Sequence, residues 1–295
     1  MRSAVALKPG LKETPVFLNM PDDEDFSSVV PLVQIENMYV DVFPTLESML
    51  NRIVQDIRSP GQAKIFSLNV HGANMAYRFP RFKRLIQQAD TLICDGTGIL
   101  MASRILPGLT IPCRFAAGDY LPDLLKRLSQ ENLTAFFLAG EPGVAEQALR
   151  FLEEKIPGHT VVGCHHGYIA HDKKLEDQVI EQINRLAPDV LFIGFGMPLQ
   201  EYWIEENMHR LDVRAFFPFG ATLDYLSRKV PRCPAVLGKL GLEWLFRFCL
   251  EPSRMFERYM MGNPRFMARI IASAIRMRLL KAKTGFHGAG ALKTG

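Results

Sequence analysis

The chain lacks the features that define several common classes of protein. No stretch approaches about 18 uninterrupted apolar residues, so we predict no transmembrane helix. The first residues lack a basic segment followed by an apolar one, so we predict no signal peptide. The 5 cysteines include no C-x-x-C pair. Scattered cysteines suit a reducing compartment and argue against a disulfide framework or a zinc ribbon.

Familiar ligand motifs are missing as well. The sequence has no G-x-G-x-x-G, which a nucleotide-sugar epimerase or dehydrogenase would need, and no P-loop. Beyond the acidic run at 22–25 it has no Asp-x-Asp, the usual Mg²⁺-diphosphate motif. His165 and His166 are neighbours on a predicted strand, so their side chains should point to opposite faces, and no third ligand follows them. We therefore predict no metal and no cofactor.

Charge, by contrast, is abundant at one end. From residue 227 onward the chain has fourteen lysines and arginines and three glutamates, a net charge of +11, which leaves −7 for the rest. This asymmetry predicts an acidic partner for the basic end, either an anionic membrane surface or nucleic acid. No nucleic-acid motif accompanies the charge, which favours the membrane.

Short apolar runs alternate with amphipathic segments between the two ends. This spacing predicts an α/β fold, a Rossmann-like parallel sheet with helices on both faces. The predicted strands are 64–70, 90–95, 134–140, 159–164, 189–196 and 213–220. We predict an irregular, proline-rich arm over 1–35, an α/β core over 36–235, and a basic helical appendage over 236–295 that associates with a membrane. The sheet should fold without residues beyond about 240.

Polar residues and glycines follow each predicted strand, at the edge where parallel sheets bind ligands. The most informative is Asp95, which ends an apolar run and precedes Gly96 and Gly98. It could cap the following helix, or it could be a general base that deprotonates an acceptor hydroxyl. The two glycines favour the second reading, because missing side chains would let a bulky substrate approach the backbone.

Two further turns couple a strand end to a helix start. The turn Gly140-Glu141-Pro142-Gly143 would offer free N–H groups to a phosphate, although many α/β proteins carry such turns only to reverse the chain. In the second, Gln200 and Glu201 lie in a first helical turn. Gln200 suits sugar hydroxyls, although a solvated glutamine is the commoner case, and Glu201 fits the positive end of the helix dipole.

The basic end is predicted to be helical and rich in Met, Phe and Arg. Arg247, Arg254 and Arg258 fall on one helical face if the helix tolerates Pro252. They could form a solvated face, or an arginine-lined surface that lies against a membrane and holds phosphates.

Eight blocks, in the same order, resemble the WecG/TagA/CpsF glycosyltransferases, glycosyltransferase family 26. The resemblance covers about residues 36 to 270. The blocks are SLN at 67–69, ADTLICDGTGILMASRIL at 89–106, AAGDYLPDLL at 116–125, FLAGEPGVAEQA at 137–148, VVGCHHGY at 161–168, DVLFIGFGMPLQEYWI at 189–204, FPFGATLDYLSRKVPRCP at 217–234 and KLGLEWLFRFCLEPSRMFERY at 239–259.

The resemblance implies an inverting, metal-independent hexosyltransferase that acts on a UDP-sugar donor and a polyprenyl-diphosphate-linked saccharide in bacterial surface-polymer or exopolysaccharide synthesis. Its expected place is the cytoplasm, peripheral on the inner face of the cell membrane. The donor sugar stays open between glucose, N-acetylmannosamine and a related hexose, because His71 departs from typical N-acetylmannosaminyltransferases. Oligomerisation also stays open. A non-catalytic membrane-binding partner of a polysaccharide-assembly complex is the alternative.

The resemblance also assigns roles to residues. Asp95 matches the catalytic base. The implied substrate-binding residues are Ser67, Asn69, Gly96, Thr97, Gln200, Arg247, Arg254 and Arg258, and the implied UDP-binding residues are Gly140, Glu141, Gly143, Gly194, Gly196 and Glu201.

Overall fold

The computed structural model describes residues 30–169, 172–227, 231, 233–234 and 243–288. Within them the strands form an antiparallel hairpin and a six-stranded sheet. The strands are β1 (Leu32–Ile35), β2 (Met38–Asp41), β3 (Ala63–Leu68), β4 (Thr91–Cys94), β5 (Ala135–Ala139), β6 (Val161–His165), β7 (Val190–Gly194) and β8 (Ala215–Pro218). The six runs predicted as strands correspond to β3 through β8.

The large sheet has the order β4-β3-β8-β7-β5-β6, and every neighbouring pair is parallel. All carboxyl ends therefore meet at one edge, as predicted. The chain fills β3 and β4 on one side, crosses to β5 and β6, and returns through β7 and β8 to the centre. A reversal of this kind opens a crevice between the strands at the carboxyl edge, where ligands of open α/β sheets bind.

Helices cover both faces of the sheet, which confirms the predicted fold class. They are α1 (Leu46–Arg58), α2 (Val70–Arg78), α3 (Pro80–Gln87), α4 (Thr97–Ile105), α5 (Ala117–Gln130), α6 (Val144–Lys155), α7 (Lys173–Leu186), α8 (Leu199–Asn207), α9 (Thr222–Leu226), α10 (Glu243–Leu250), α11 (Pro252–Met255) and α12 (Gly262–Gly288). A π-helical turn, Phe256–Met261, joins α11 to α12. None of these described helices is long and apolar enough to span a bilayer.

The strands read as continuous apolar runs because both of their faces are buried. In β5, Phe136 and Leu138 pack with α2, α3, α4, α7, α8 and α12 on one face. Ala135, Phe137 and Ala139 pack with α1, α5, α6 and α9 on the other. Burial on both sides removes the polar alternation of a one-sided sheet and leaves the strand ends as the places for polar chemistry.

The predicted boundary of the irregular arm needs correction. Residues 32–35 belong to the hairpin, in which Leu32 pairs with Asp41 and Ile35 with Met38. The buried carboxylate of Asp41 also accepts a hydrogen bond of 2.6 Å from the backbone N–H of Leu92. The hairpin therefore joins the core at β4. Residues 1–29 of the arm lie outside the described residues, as does most of 228–242, where the predicted boundary of the appendage falls.

The position of α12 argues against the expectation that the sheet folds without residues beyond about 240. Helix α12 buries Phe266, Ile270 and Ala274 in the same core that contains β3 and β5. Arg269 on α12 donates to Glu36 of the hairpin at 2.7 Å and to Asn74 of α2 at 2.8 Å. A chain that ended near residue 240 would expose this core surface. The composition of α12 predicts a membrane-associated helix. It does not show that one apolar face of the helix packs in the core while the other is exposed.

Candidate active site

A cleft of about 1290 Å³ lies at the carboxyl edge of the sheet, and the turn after α11 and the start of α12 form part of its wall. Most of the predicted site residues line it. These are Ser67, Asn69, Asp95, Gly140, Glu141, Gly194, Gly196, Gln200, Arg247 and Arg258. Four other predicted site residues are not among the described residues that line the cleft: Gly96, Thr97, Gly143 and Glu201. The side chain of Arg254 lies outside the described part of the chain.

Asp95 and Asn69 form a hydrogen-bonded pair at neighbouring strand ends. The register pairs Leu68 of β3 with Cys94 of β4, so the next residue of each strand enters the cleft side by side. The Asn69 Oδ1 accepts from the backbone N–H of Gly72 at 3.0 Å and caps α2, which fixes the orientation of the amide. Its Nδ2 is then left to donate to Asp95 Oδ2, at 3.3 Å. Asn69 therefore orients the carboxylate.

The reading of Asp95 as the cap of α4 is not supported, because Gly96 occupies the N-cap position. Gly96 has φ +94°, a conformation that favours glycine. Gly98 has a different reason, since a Cβ there would lie 2.2 Å from Val70 Cγ2. The interpretation of Gly98 as clearance for a substrate is therefore corrected. This glycine lets the starts of α2 and α4 pack closely, just beyond the strand ends that carry Asn69 and Asp95.

Two arginines line the same cleft as the carboxylate of Asp95. Arg258 is half-buried, and burial, followed by the charge of Arg247, lowers its pKa, while Tyr259, Asp95 and Tyr225 act in the opposite direction. Arg247 stacks on Tyr225, with the guanidinium carbon 4.8 Å from the ring centroid. Guanidinium groups stay protonated at any pH at which the protein is folded. The two cations thus repel each other, and an anion bound between them would relieve that repulsion.

His71 lies in the first turn of α2 and also lines the cleft. Burial lowers its pKa to about 4, with a smaller contribution from the charge on Arg258. The imidazole is therefore neutral near pH 7, and it can both donate and accept a hydrogen bond. A neutral ring adds no charge to the anion site and offers a polar contact to an uncharged substrate group such as a hydroxyl.

Groups beneath the carboxylate do not compete with it chemically. Burial, with the nearby charge of Asp95 as the second cause, raises the pKa of the Cys94 thiol well above its ordinary value. The same two causes, in the same order, raise the pKa of the buried Tyr120 hydroxyl. Both stay protonated, and a protonated thiol is a poor nucleophile.

Gln200 and Glu201 begin α8 as predicted, but Glu201 does not face solvent at the helix start. Both are buried, with 1% of each exposed. The Gln200 Nε2 donates to Glu201 Oε1 at 2.8 Å, and Gln200 Oε1 accepts from the Gly196 N–H at 3.2 Å. Burial raises the pKa of Glu201 to about 7, against hydrogen bonds from Gln200 and from its own backbone.

The turn predicted to hold a phosphate precedes a regular helix. Gly143, in the left-handed conformation, is the N-cap of α6, whose 12 residues begin at Val144. Gly140 and Glu141 line the cleft beside it. The positive end of α6 thus faces the same edge of the sheet as the two arginines.

Asp224 and Tyr225 lie within the block 217–234 and are not among the predicted site residues. Both lie on the short helix α9 after β8 and line the cleft. Asp224 Oδ1 would be 3.7 Å from a Cβ placed on Gly140, which puts it beside the turn of residues 140–143. Their position in the sequence was the available signal, because both residues follow Gly220, which ends the predicted strand 213–220.

The two adjacent histidines also differ from expectation. Strand β6 ends at His165, and the rings of His165 and His166 lie on one side, with centroids 4.2 Å apart. The prediction of opposite faces assumed that the strand continues, and it is wrong for that reason. No cluster of three or more His, Cys, Asp or Glu suited to a metal occurs among the residues the structure describes.

The fold and cleft define an α/β transferase with a carboxylate and two arginines at the carboxyl edge of a parallel sheet. The family model for the glycosyl transferase WecG/TagA/CpsF family matches residues 33–279. The chain belongs to this family, and it is a glycosyltransferase, as the sequence predicted.

Curated relatives share modest identity over most of their length. One from Bacillus spizizenii strain W23 is 26% identical over 196 residues, which cover 66% of this chain and 74% of the relative. One from Staphylococcus aureus strain MRSA252 is 28% identical over 220 residues, 74% of this chain and 83% of the relative. Both are N-acetylglucosaminyldiphosphoundecaprenol N-acetyl-beta-D-mannosaminyltransferases.

The raised pKa of Glu201 predicts a pH-dependent stability that Glu201→Gln removes. The folded state keeps the proton up to about pH 7, whereas the unfolded state loses it near 4.5. The carboxyl thus favours folding fully below 4.5, and this contribution is lost as pH rises to 7. Relative to the wild type, E201Q should gain about 2–3 kcal/mol in unfolding free energy between pH 4.5 and 8. Denaturant titrations at both pH values measure it, and a constant difference would contradict the prediction.

Proposed function

We propose that the protein transfers a hexose from a UDP-sugar to a hydroxyl of a polyprenyl-diphosphate-linked saccharide, with inversion at the anomeric carbon and without a metal. The observation that carries the proposal is Asp95, held by Asn69 in a cleft that also contains Arg247 and Arg258. The names of the curated relatives support the class of acceptor, since they act on a sugar linked to diphosphoundecaprenol.

The proposed step needs one base. Asp95 accepts the proton of the acceptor hydroxyl while the oxygen attacks the anomeric carbon from the face opposite the leaving group. The bond between that carbon and the diphosphate oxygen breaks, and UDP leaves with the electron pair. Asn69 keeps the carboxylate in one orientation, because its own amide is fixed by the cap of α2. We propose that Ser67 and Gln200, which line the cleft, contact the sugars. The resemblance adds Gly96 and Thr97, which lie next to Asp95 at the start of α4.

The leaving diphosphate carries negative charge that must be stabilised. Arg247 and Arg258 are proposed to supply the cations, together with the positive end of α6 at Gly143. The charges of the two guanidinium groups repel each other, and a diphosphate bound between them would offset that repulsion. Gly140, Glu141, Gly194 and Gly196 form the proposed UDP side of the cleft, and Arg254 is proposed to join the arginines.

The acceptor lipid calls for a membrane contact, and α12 offers one. Ile271, Ile275 and Leu279 follow one another at four-residue intervals and are 47%, 53% and 60% exposed. Arg276 and Arg278, also exposed, lie on the same helix. We name Ile271, Ile275 and Leu279 the outer ridge. An apolar ridge with flanking cations suits the surface of an anionic bilayer, so we propose peripheral association at the membrane.

A non-catalytic partner of a polysaccharide-assembly complex is the second candidate, because the basic end and the outer ridge would also serve it. Incubation of the protein with a panel of UDP-hexoses and a lipid-diphosphate monosaccharide, followed by mass analysis of the product, separates the two. A product identifies the donor among glucose, N-acetylmannosamine and related hexoses. No product from any donor would favour the partner.

Asp95→Asn should lower turnover by about 10²–10⁴-fold, the usual contribution of a general base. The amide cannot accept the proton, yet it has the same size and still meets Asn69. UDP affinity, measured by calorimetry, should stay close to that of the wild type. The matched control is Asp123→Asn, an exposed aspartate on α5, which should keep full turnover. Near-normal turnover in D95N would remove Asp95 from the mechanism.

Arg258→Ala should weaken UDP binding and lower kcat/KM by about 10- to 100-fold, the range for lost hydrogen bonds to a charged group. Arg258→Lys should recover only part, since Lys lacks the planar fork that matches a phosphate. Arg185→Ala, an exposed arginine on α7, is the control and should change neither quantity. Equal UDP affinity in R258A and the wild type would argue against the diphosphate site.

The outer ridge predicts a charge-sensitive membrane contact. Ile275→Glu with Leu279→Glu should reduce co-sedimentation with vesicles containing anionic lipid by at least about tenfold, because apolar burial is lost and two negative charges are added. Leu186→Glu, on α7 at the β6 edge of the sheet, away from α12, is the control and should sediment like the wild type. Undiminished pelleting of the double variant would show that another surface makes the contact.

A further inference from the structure

Gln200 is held in place by two neighbours of opposite kind. It lies in the first turn of α8 and contributes to the cleft wall. Its amide oxygen accepts from the N–H of Gly196, and its amide nitrogen donates to Glu201. Because one neighbour is a donor and the other an acceptor, a rotation of the amide by 180° would break both hydrogen bonds.

With these two contacts formed, the amide of Gln200 can still make two hydrogen bonds to a ligand. A glutamine amide has two N–H groups and two lone pairs on its oxygen. The internal contacts use one of each, so one N–H and one lone pair remain. A sugar hydroxyl both donates and accepts, and the orientation of the amide decides which of its own atoms meets which hydroxyl. An amide free to rotate would lose that discrimination.

Packing alone does not explain why a carboxyl group is buried at position 201. The residue is 1% exposed, and its second oxygen, Oε2, has no hydrogen-bond partner among the described residues. An interior polar atom without a partner destabilises a fold, and an apolar side chain of similar size would avoid that penalty. The feature that an apolar residue could not supply is the acceptor for Gln200.

The nearby arginines Arg81 and Arg210 form ion pairs with acidic residues other than Glu201. On α3, which packs on α8, Arg81 forms ion pairs of 2.7 Å with Glu205 and Glu206. After α8, Arg210 pairs with Asp177 at 2.6 Å. The segment of β8 behind α8 is apolar throughout. Glu201 thus interacts with its own helix start and with Gln200.

We propose that Glu201 is a positioning residue, which fixes the amide of Gln200 for sugar recognition, in place of the UDP contact that the resemblance implied. Glu201 acts only through Gln200. The inference rests on the proposed function, because it assumes that a sugar meets Gln200 in the cleft.

A double-mutant cycle tests this role with Glu201→Met, which removes the acceptor, and Gln200→Met, which removes the amide. E201M should lower kcat/KM for the sugar donor by about 10- to 100-fold, while UDP affinity is unchanged. Glu201→Gln keeps an acceptor oxygen and should stay near the wild-type rate. In the Q200M background, E201M should cause no further loss. Glu205→Met, an exposed position on the same helix, is the control and should leave the rate unchanged.

The proposal would be overturned if E201M and Q200M lowered kcat/KM additively in the double-mutant cycle. Wild-type kinetics in E201M would overturn it as well. Should E201M fail to fold, Glu201→Asp replaces it, because the shorter side chain keeps the carboxylate but loses reach to Gln200. The same loss of rate is then expected, and full activity would overturn the proposal.

A second readout does not depend on turnover. In protein labelled with ¹⁵N-glutamine, the side-chain amide resonance of Gln200, assigned with Q200M, should shift with pH around the titration of Glu201 and should lose this shift in E201M. An amide that ignores pH in the wild type would overturn the proposal. If the wild type transfers no sugar, the proposed function fails. The NMR measurement would still show whether Glu201 contacts the amide of Gln200.

Discussion

The parallel register of β3 and β4 is the constraint on which the site depends. The backbone N–H of Asp95 donates to the carbonyl of Leu68 at 2.9 Å, the last link of the ladder between the two strands. Beyond this link the backbones diverge into α2 and α4, and the side chains of Asn69 and Asp95 remain adjacent. A shift of one residue would turn either side chain towards the opposite face. The carboxylate, its orienting amide and the caps of both helices are thus consequences of one strand pairing.

Much of this arrangement could be predicted from the sequence, because it follows from periodicity. Strands buried on both faces are apolar throughout, so a residue such as Asp95 stands out where the strand ends. The hairpin escaped prediction because its strands have four residues each, too few for a pattern to emerge beside Pro31. Its turn depends on Glu36 at φ 55°, a conformation that composition does not signal.

Other features required the folded chain. Gln200 and Glu201 are an ordinary helix start in sequence, and only the packing of α8 shows that the carboxyl is buried. Gly98 suggested space for a ligand, whereas its neighbour is Val70 of another helix. Helix α12 has apolar residues on two faces, and a linear pattern cannot tell which face belongs to the core. In each case the missing information was the identity of a neighbour distant in sequence.

The position of α12 also bears on how the chain is made. Strand β3 pairs with β8, some 150 residues later, and α12 then covers the face to which β3 contributes. Arg269 reaches back across 233 residues to Glu36. During synthesis the hairpin, β3 and α2 leave the ribosome long before these partners exist. Their apolar faces lack these partners until α12 emerges, so the core can be completed only after almost the whole described chain has been synthesised.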